Sequence, residues 1–283
     1  MDELLPRIPF AEWIDFAVNW LVTTFGTVFD GIADLLEGIV EGSVDVLDMV
    51  PSILLAVLFS LLAWFISTRK IALFSLFGLL FIDYLGYWYS MLQMLALVLT
   101  SVFFAISIGI PIGIWGSQKA NVRKSIVPVL DLMQTMPAFV YLLPAIFFFN
   151  IGVVPGVVAS VIFAMPPTIR LTMLGIQQVP EELIEATQAF GSTTWQRLSK
   201  VQIPLAKPTI MAGVNQSIML SLSMVVIASM VGAPGLGADV YRAVTQLKTG
   251  VGFEAGLSVV IIAIMLDRIT QHAGKNKKGG TTL

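Results

Sequence analysis

Glu181, Glu182 and Glu185 open the longest polar interruption of an otherwise apolar chain, EELIEATQAFGSTTWQRLSKVQIPLAKP over residues 181–208. Their spacing places them in the first turns of a helix that starts at Pro180, where carboxylates complement the positive helix end and proline's missing N–H costs nothing. Ile184, Ala186, Ala189 and Phe190 give that helix an apolar side. Gly191 suits a left-handed helix end, Ser192 or Thr193 can cap a second short helix carrying Trp195 and Leu198, and Pro204 and Pro208 close the segment. The chemistry on offer is recognition: two short amphipathic helices about a glycine hinge, shaped to dock into a groove on another protein.

Covalent chemistry has little to work with. The chain has no cysteine, which removes disulfides, thiolate catalysis and thiolate metal sites together. Its one histidine, His272, lies in a basic tail, so there is no ligand cluster for a metal and no base and nucleophile pair for a membrane hydrolase. No G-x-x-x-x-G-K-[ST] run is present, so the chain does not cradle nucleotide phosphates by a Walker loop. Any ATP-derived energy must come through another polypeptide.

Other polar positions have two readings each. Asp131, Gln134, Met136, Pro137, Tyr141 and Pro144 form a polar, then proline-broken start to an apolar run. Freed carbonyls and a bend there can line a pathway for a polar solute, or the prolines simply shape packing. Pro166 and Pro167 bend the next run just before Arg170, which pairs with Asp131 or snorkels to water. Gly232, Pro234, Gly235 and Gly237 in GAPGLG cannot be regular helix throughout. They read as an outer gate or docking site, or as a tight turn; a phosphate loop would need a strand and a lysine that are missing. Trp88, Trp115 and Tyr141 suggest a cation-π cage for a quaternary ammonium, though aromatics near span ends also serve as belt residues.

The elements that must hold these residues are membrane helices. The 283 residues are 57% hydrophobic and 12% charged, against about 25% charged in soluble domains. Mean hydropathy is +0.88. Apolar runs at 51–67, 71–88, 91–116, 126–150, 153–174, 208–231 and 253–270 predict about seven spans. With residues 181–208 in the cytoplasm, Arg69, Lys70, Lys119, Arg123, Lys124, Arg170, Arg197, Lys200, Lys207, Arg268, Lys275, Lys277 and Lys278 are inside, 13 of the 16 basic residues. Arg7, Arg242 and Lys248 are outside, so the positive-inside rule places the N-terminus outside and the C-terminus in the cytoplasm.

Residues 1–50 stand apart, with ten of the eighteen acidic residues. Asp30, Asp34, Glu37, Glu41, Asp45 and Asp48 recur every three or four positions and form one helical stripe. This predicts an amphipathic helix at the outer interface, anchored by Trp13, Phe16 and Trp20, rather than a span. Residues 51–90 then hold two spans, 91–271 a core of the remaining spans with the 180–208 loop inside it, and 272–283 a basic tail with weak attraction to anionic lipid.

The 181–208 pattern resembles the EAA loop of permease subunits of ATP-binding-cassette importers: E-A-A, three residues, G, nine residues, then I-x-L-P. Here stand Glu185, Ala186 and Thr187, then Gly191, then Val201, Ile203 and Pro204, with Glu182 just ahead. Thr187, Val201 and Ile203 depart from the pattern by small changes that keep its spacing. DYLGYW (83–88), DLMQTMPAFVYLLP (131–144), MPPTIR (165–170) and MVGAPGLG (230–237) look like permeases of glycine betaine importers of the OpuAB and ProW type. The resemblance implies an all-α polytopic fold of the type I importer class in a bacterial cell membrane. It also implies a homodimer, two ABC ATPase subunits that bind the ATP and Mg while this chain binds no cofactor, and an extracellular substrate-binding protein. Nucleic acid has no place in it. A secondary transporter driven by an ion gradient is the rival, but it would want midplane carboxylates, and Asp83, Asp131 and Asp267 fall near predicted span ends.

Overall fold

The computed structural model describes residues 9–274, and among these every regular element is a helix. Of the tail predicted over 272–283, all but the first three residues lie outside the described residues. Apolar chain in a medium without hydrogen-bond partners satisfies its backbone groups within each helix. In order the helices are α1 (Phe10–Asp48), α2 (Ser52–Ile66), α3 (Arg69–Tyr84), α4 (Trp88–Gln118), α5 (Ala120–Thr135), α6 (Leu142–Phe149) and α7 (Val153–Gln177). Then come α8 (Glu181–Ala189), α9 (Thr194–Arg197), α10 (Ile203–Ala228), α11 (Leu236–Thr245) and α12 (Thr249–Gly274).

The centre is α7, packed between α4 and α10. Small residues bring these backbones together, the usual device where lipid supplies no hydrophobic drive between helices. Gly109, Gly113 and Gly116 of α4 face α7: a Cβ added at Gly113 would lie 2.6 Å from Thr172 Cβ and 2.8 Å from the Ile169 carbonyl oxygen. On the other side Gly175 meets Ala206 and Thr209, and Gly213 meets Leu171 and the Pro167 carbonyl. Thr168, Thr172, Ser217 and Ser221 are fully buried in the same layers. The larger core above them is built from Leu92, Met94, Leu97, Val157, Val225 and Leu236.

α2 and α3 form a hairpin whose open end is tied by the Ser52 hydroxyl donating to Asp83 at 2.9 Å. They contain 15 and 16 residues, about 23 and 24 Å at 1.5 Å per residue, short of a hydrocarbon core of about 30 Å. Among the described residues five helical stretches are long and apolar enough to cross a membrane, or six if the bent pair α5 and α6 counts as one. The seven expected spans are therefore not reproduced by length. One of the five is α1, with 39 residues and a break in helical geometry at Phe25. The reading of residues 1–50 as an interfacial helix did not anticipate that length. All six carboxylates of its stripe are exposed and Leu36, Val40 and Val44 turn inward, but Val28, Ile32, Leu35 and Ile39, on the apolar side opposite the carboxylates, are exposed as well.

Candidate functional site: the 180–208 segment and the broken helix

Pro180 precedes α8, Glu181 and Glu182 occupy its first turn, and none of its residues is buried. The helix ends in a Schellman turn: Ser192 N–H donates to the Thr187 carbonyl at 3.1 Å and Gly191 N–H to that of Gln188 at 2.9 Å. Gly191 has φ +72°, a conformation that costs glycine nothing and other residues about 1–2 kcal/mol. Thr193 then caps α9 in a reciprocal box, accepting from Gln196 N–H at 3.2 Å while Gln196 Oε1 accepts from Thr193 N–H at 2.9 Å. Glu182, Glu185 and Ala186 are exposed and Thr187 is half-buried, its hydroxyl bonded to the Ile184 carbonyl at 2.8 Å. Phe190 is 92% and Trp195 71% exposed, so the segment points its aromatics away from its own membrane domain.

One expectation fails in this segment. Pro204 and Pro208 do not close it: Thr194 to Val231 is one helical stretch of 38 residues. Pro204 has no N–H to give the Lys200 carbonyl, and the chain absorbs this with a π-turn over Leu198–Gln202 instead of ending. Val201 and Ile203 are half-buried and Pro204 exposed, while buried Gln202 accepts from Gln118 Nε2 at 3.3 Å. That bond ties the π-turn to the end of α4.

The predicted fourth span is two helices bent by 111° at Met136 and Pro137. Arg170 and Asp131 form an ion pair, settling the two readings of Arg170 in favour of pairing. Met136, Tyr141 and Pro144, with Phe147 of α6, line a groove of about 470 Å³ whose remaining lining includes Ile14, Asp15, Val18 and Asn19 of α1. Gln134 and Pro137 are exposed but do not line it. Tyr141 is buried, and its hydroxyl donates to the Met133 carbonyl, so the tyrosine braces the break rather than presenting its hydroxyl to a solute.

Of the two readings of Trp88, Trp115 and Tyr141, the cage does not form within the chain. Trp88 and Trp115 sit at opposite ends of α4, 27 positions apart, or about 40 Å.

GAPGLG is a packed turn. Gly232 and Gly235 have φ +94° and +105°. A Cβ at Gly235 would lie 2.8 Å from Met94 N, and one at Gly237 2.8 Å from the Val225 carbonyl. Gly235 and Gly237 are buried, so these two glycines are not a docking surface; Pro234 alone of the four lines a cavity shared with Glu41, Asp45, Tyr89 and Gln93. Nearby, burial and then the charges of Glu254 and Asp239 push the Tyr87 phenol above its ordinary pKa.

Two arrangements were missed. Asn215 of α10 donates to Asp267 of α12 at 3.0 Å and accepts from Thr270 at 2.5 Å, a polar tie for which no local pattern exists. The α4 and α7 contact had a signal in the four-residue spacing of Gly109 and Gly113.

Residues 109–276 match the family described as "Binding-protein-dependent transport system inner membrane component". The chain is 71% identical over 278 residues, 98% of both proteins, to the glycine betaine transport system permease protein OpuAB of Bacillus subtilis. It is 54% identical to the glycine betaine/carnitine transport permease protein GbuB of Listeria monocytogenes, covering 97% of this chain and 98% of that one. To the glycine betaine/proline betaine permease protein ProW of Escherichia coli the identity is 48%, over 96% of this chain and 77% of that one. In fold it is similar to the inward-facing MetNI methionine ABC transporter, with a TM-score of 0.59 at 24% identity over 65% of this chain and 93% of that one. With a family match over most of its length and relatives this similar from end to end, the chain belongs to the inner membrane permease components of binding-protein-dependent transport systems.

Proposed function

We propose that the chain is the permease subunit of an ATP-driven importer of glycine betaine or a related quaternary-ammonium solute, working as a homodimer with two ATPase subunits and an extracellular binding protein. The observation that carries the substrate class is the 71% identity to a glycine betaine permease along 98% of both chains. Coupling runs through Glu182, Glu185, Ala186, Thr187 and Gly191, with Val201, Ile203 and Pro204 where the segment joins α10. The exposed Phe190 and Trp195 on a rigidly capped turn support this, because a docking helix must present apolar side chains outward in a fixed pose. The coupling segment faces the cytoplasm and the carboxylate stripe of α1 faces outward, as the basic residues imply. ATP-driven closure of the partner subunits would move α8 and α9, and the solute influences that equilibrium only through different affinity for the outward-open and inward-open states. The test is purification of the tagged chain with its companions. An ATPase should copurify, and its turnover, with the binding protein added, should rise with betaine; copurification without an ATPase would remove the proposal.

A further inference from the structure

Pro137 stands four residues after Met133, the position whose N–H would close onto the Met133 carbonyl in an uninterrupted helix. Proline has no such donor, and the chain leaves α5 at Met136, whose φ −73° and ψ 136° are the extended conformation that a following proline favours, and it stays extended at Pro137 with φ −59° and ψ 142°. The Met133 carbonyl is left open inside an apolar segment, where an unsatisfied acceptor is costly. Tyr141, four residues past Pro137, returns its hydroxyl to that carbonyl. Its ring stays buried, edge-on to Phe163 of α7 with centroids 5.9 Å apart. One side chain therefore joins all three parts: it belongs to the turn leading into α6, bonds to the end of α5, and leans on α7.

We propose that Tyr141 is the positioning residue of this break, standing in for the backbone donor that Pro137 lacks and so fixing the angle between α5 and α6. A defined angle keeps Met136 and Pro144 on one wall of the groove beside α1. That the brace matters for the transport cycle rests on the function proposed above; that it sets the angle does not.

The two parts are separable by experiment. Spin labels at Val129 and Phe147, both exposed, report the α5 to α6 distance in the assembled complex in lipid nanodiscs. Tyr141→Phe keeps the ring and removes the hydroxyl, and the distance distribution should broaden. In a Pro137→Ala background, where residue 137 regains an N–H for Met133, Tyr141→Phe should produce no further broadening. Solute accumulated per ATP hydrolysed should fall about fivefold in Tyr141→Phe alone, the weight of one neutral hydrogen bond. An unchanged distribution, or equal broadening in both backgrounds, overturns the positioning role. Broadening with an unchanged ratio of solute to ATP overturns its part in the cycle. Failure of the parent complex to transport at all, with the distances behaving as described, contradicts the proposed function and leaves the brace standing.

Discussion

Thr168 of α7 and Ser217 of α10 share a buried hydrogen bond of 2.6 Å, and the Ser217 hydroxyl also lies 2.6 Å from the Ala164 carbonyl. A hydroxyl has one proton to give, and the carbonyl can only accept, so Ser217 donates to Ala164 and Thr168 donates to Ser217. The chain of bonds crosses the most closely packed helix pair of the molecule. Ser217→Ala should cost about 0.6 kcal/mol, the average for interhelical hydrogen bonds in membranes, and no more than about 1.7 kcal/mol, because Thr168 can turn back to its own helix. Chemical unfolding of the purified protein in mixed micelles checks this, with Ser217→Leu expected to cost more through overpacking.

Gly113 and Gly26 make a controlled pair. A methyl group at Gly113 meets backbone at 2.8 Å, while at Gly26 nothing lies within 4 Å. Gly113→Ala should destabilise by about 1–3 kcal/mol as α4 is pushed off α7. Gly26→Ala should be neutral or mildly stabilising, since alanine favours the helix by about 1 kcal/mol. Equal effects in a thermal unfolding series would mean that close approach is not what holds α4 to α7.

At Gly191 the constraint is backbone alone, since nothing lies within 4 Å of an added Cβ but φ is +72°. Gly191→Val should strain the turn by about 1–3 kcal/mol and lower the ratio of uptake to ATP hydrolysis without preventing membrane insertion. Gly191→Asn should lie between valine and the parent, because asparagine tolerates this conformation. A valine variant with normal coupled uptake would show that the two helices need no fixed angle.

Local signals in the sequence read well. Glutamates after Pro180, glycine at 191 and threonine at 193 each act within one turn, and α8, its Schellman end and the capped start of α9 formed as those residues direct. The acidic stripe of α1 was likewise a matter of spacing. What the sequence hid depends on partners far along the chain. Pro204 reads as a stop, yet the π-turn before it, with Gln202 held by Gln118, carries the helix through. Tyr141 reads as pathway lining, yet its hydroxyl is taken by Met133. Asp267 reads as a span-end charge, and its tie to Asn215 crosses between helices 52 positions apart.

The proposed topology rests on the asymmetry of the basic residues. A cysteine at Glu37, an exposed position of the α1 stripe, should react with an impermeant maleimide on intact cells. One at Gln188 should react only in inside-out vesicles. The opposite pattern would put the coupling segment on the wrong side of the membrane for an ATPase.

If this chain carries solute only when another subunit supplies the energy, betaine accumulation in proteoliposomes will depend on that subunit. The chain alone, given a sodium or proton gradient, should concentrate no betaine and hydrolyse no ATP. With the ATPase and the binding protein added, ATP should drive accumulation above equilibrium, and removing either protein should abolish it. Accumulation by the isolated chain on an ion gradient alone would make it a secondary transporter and not an ATP-driven permease.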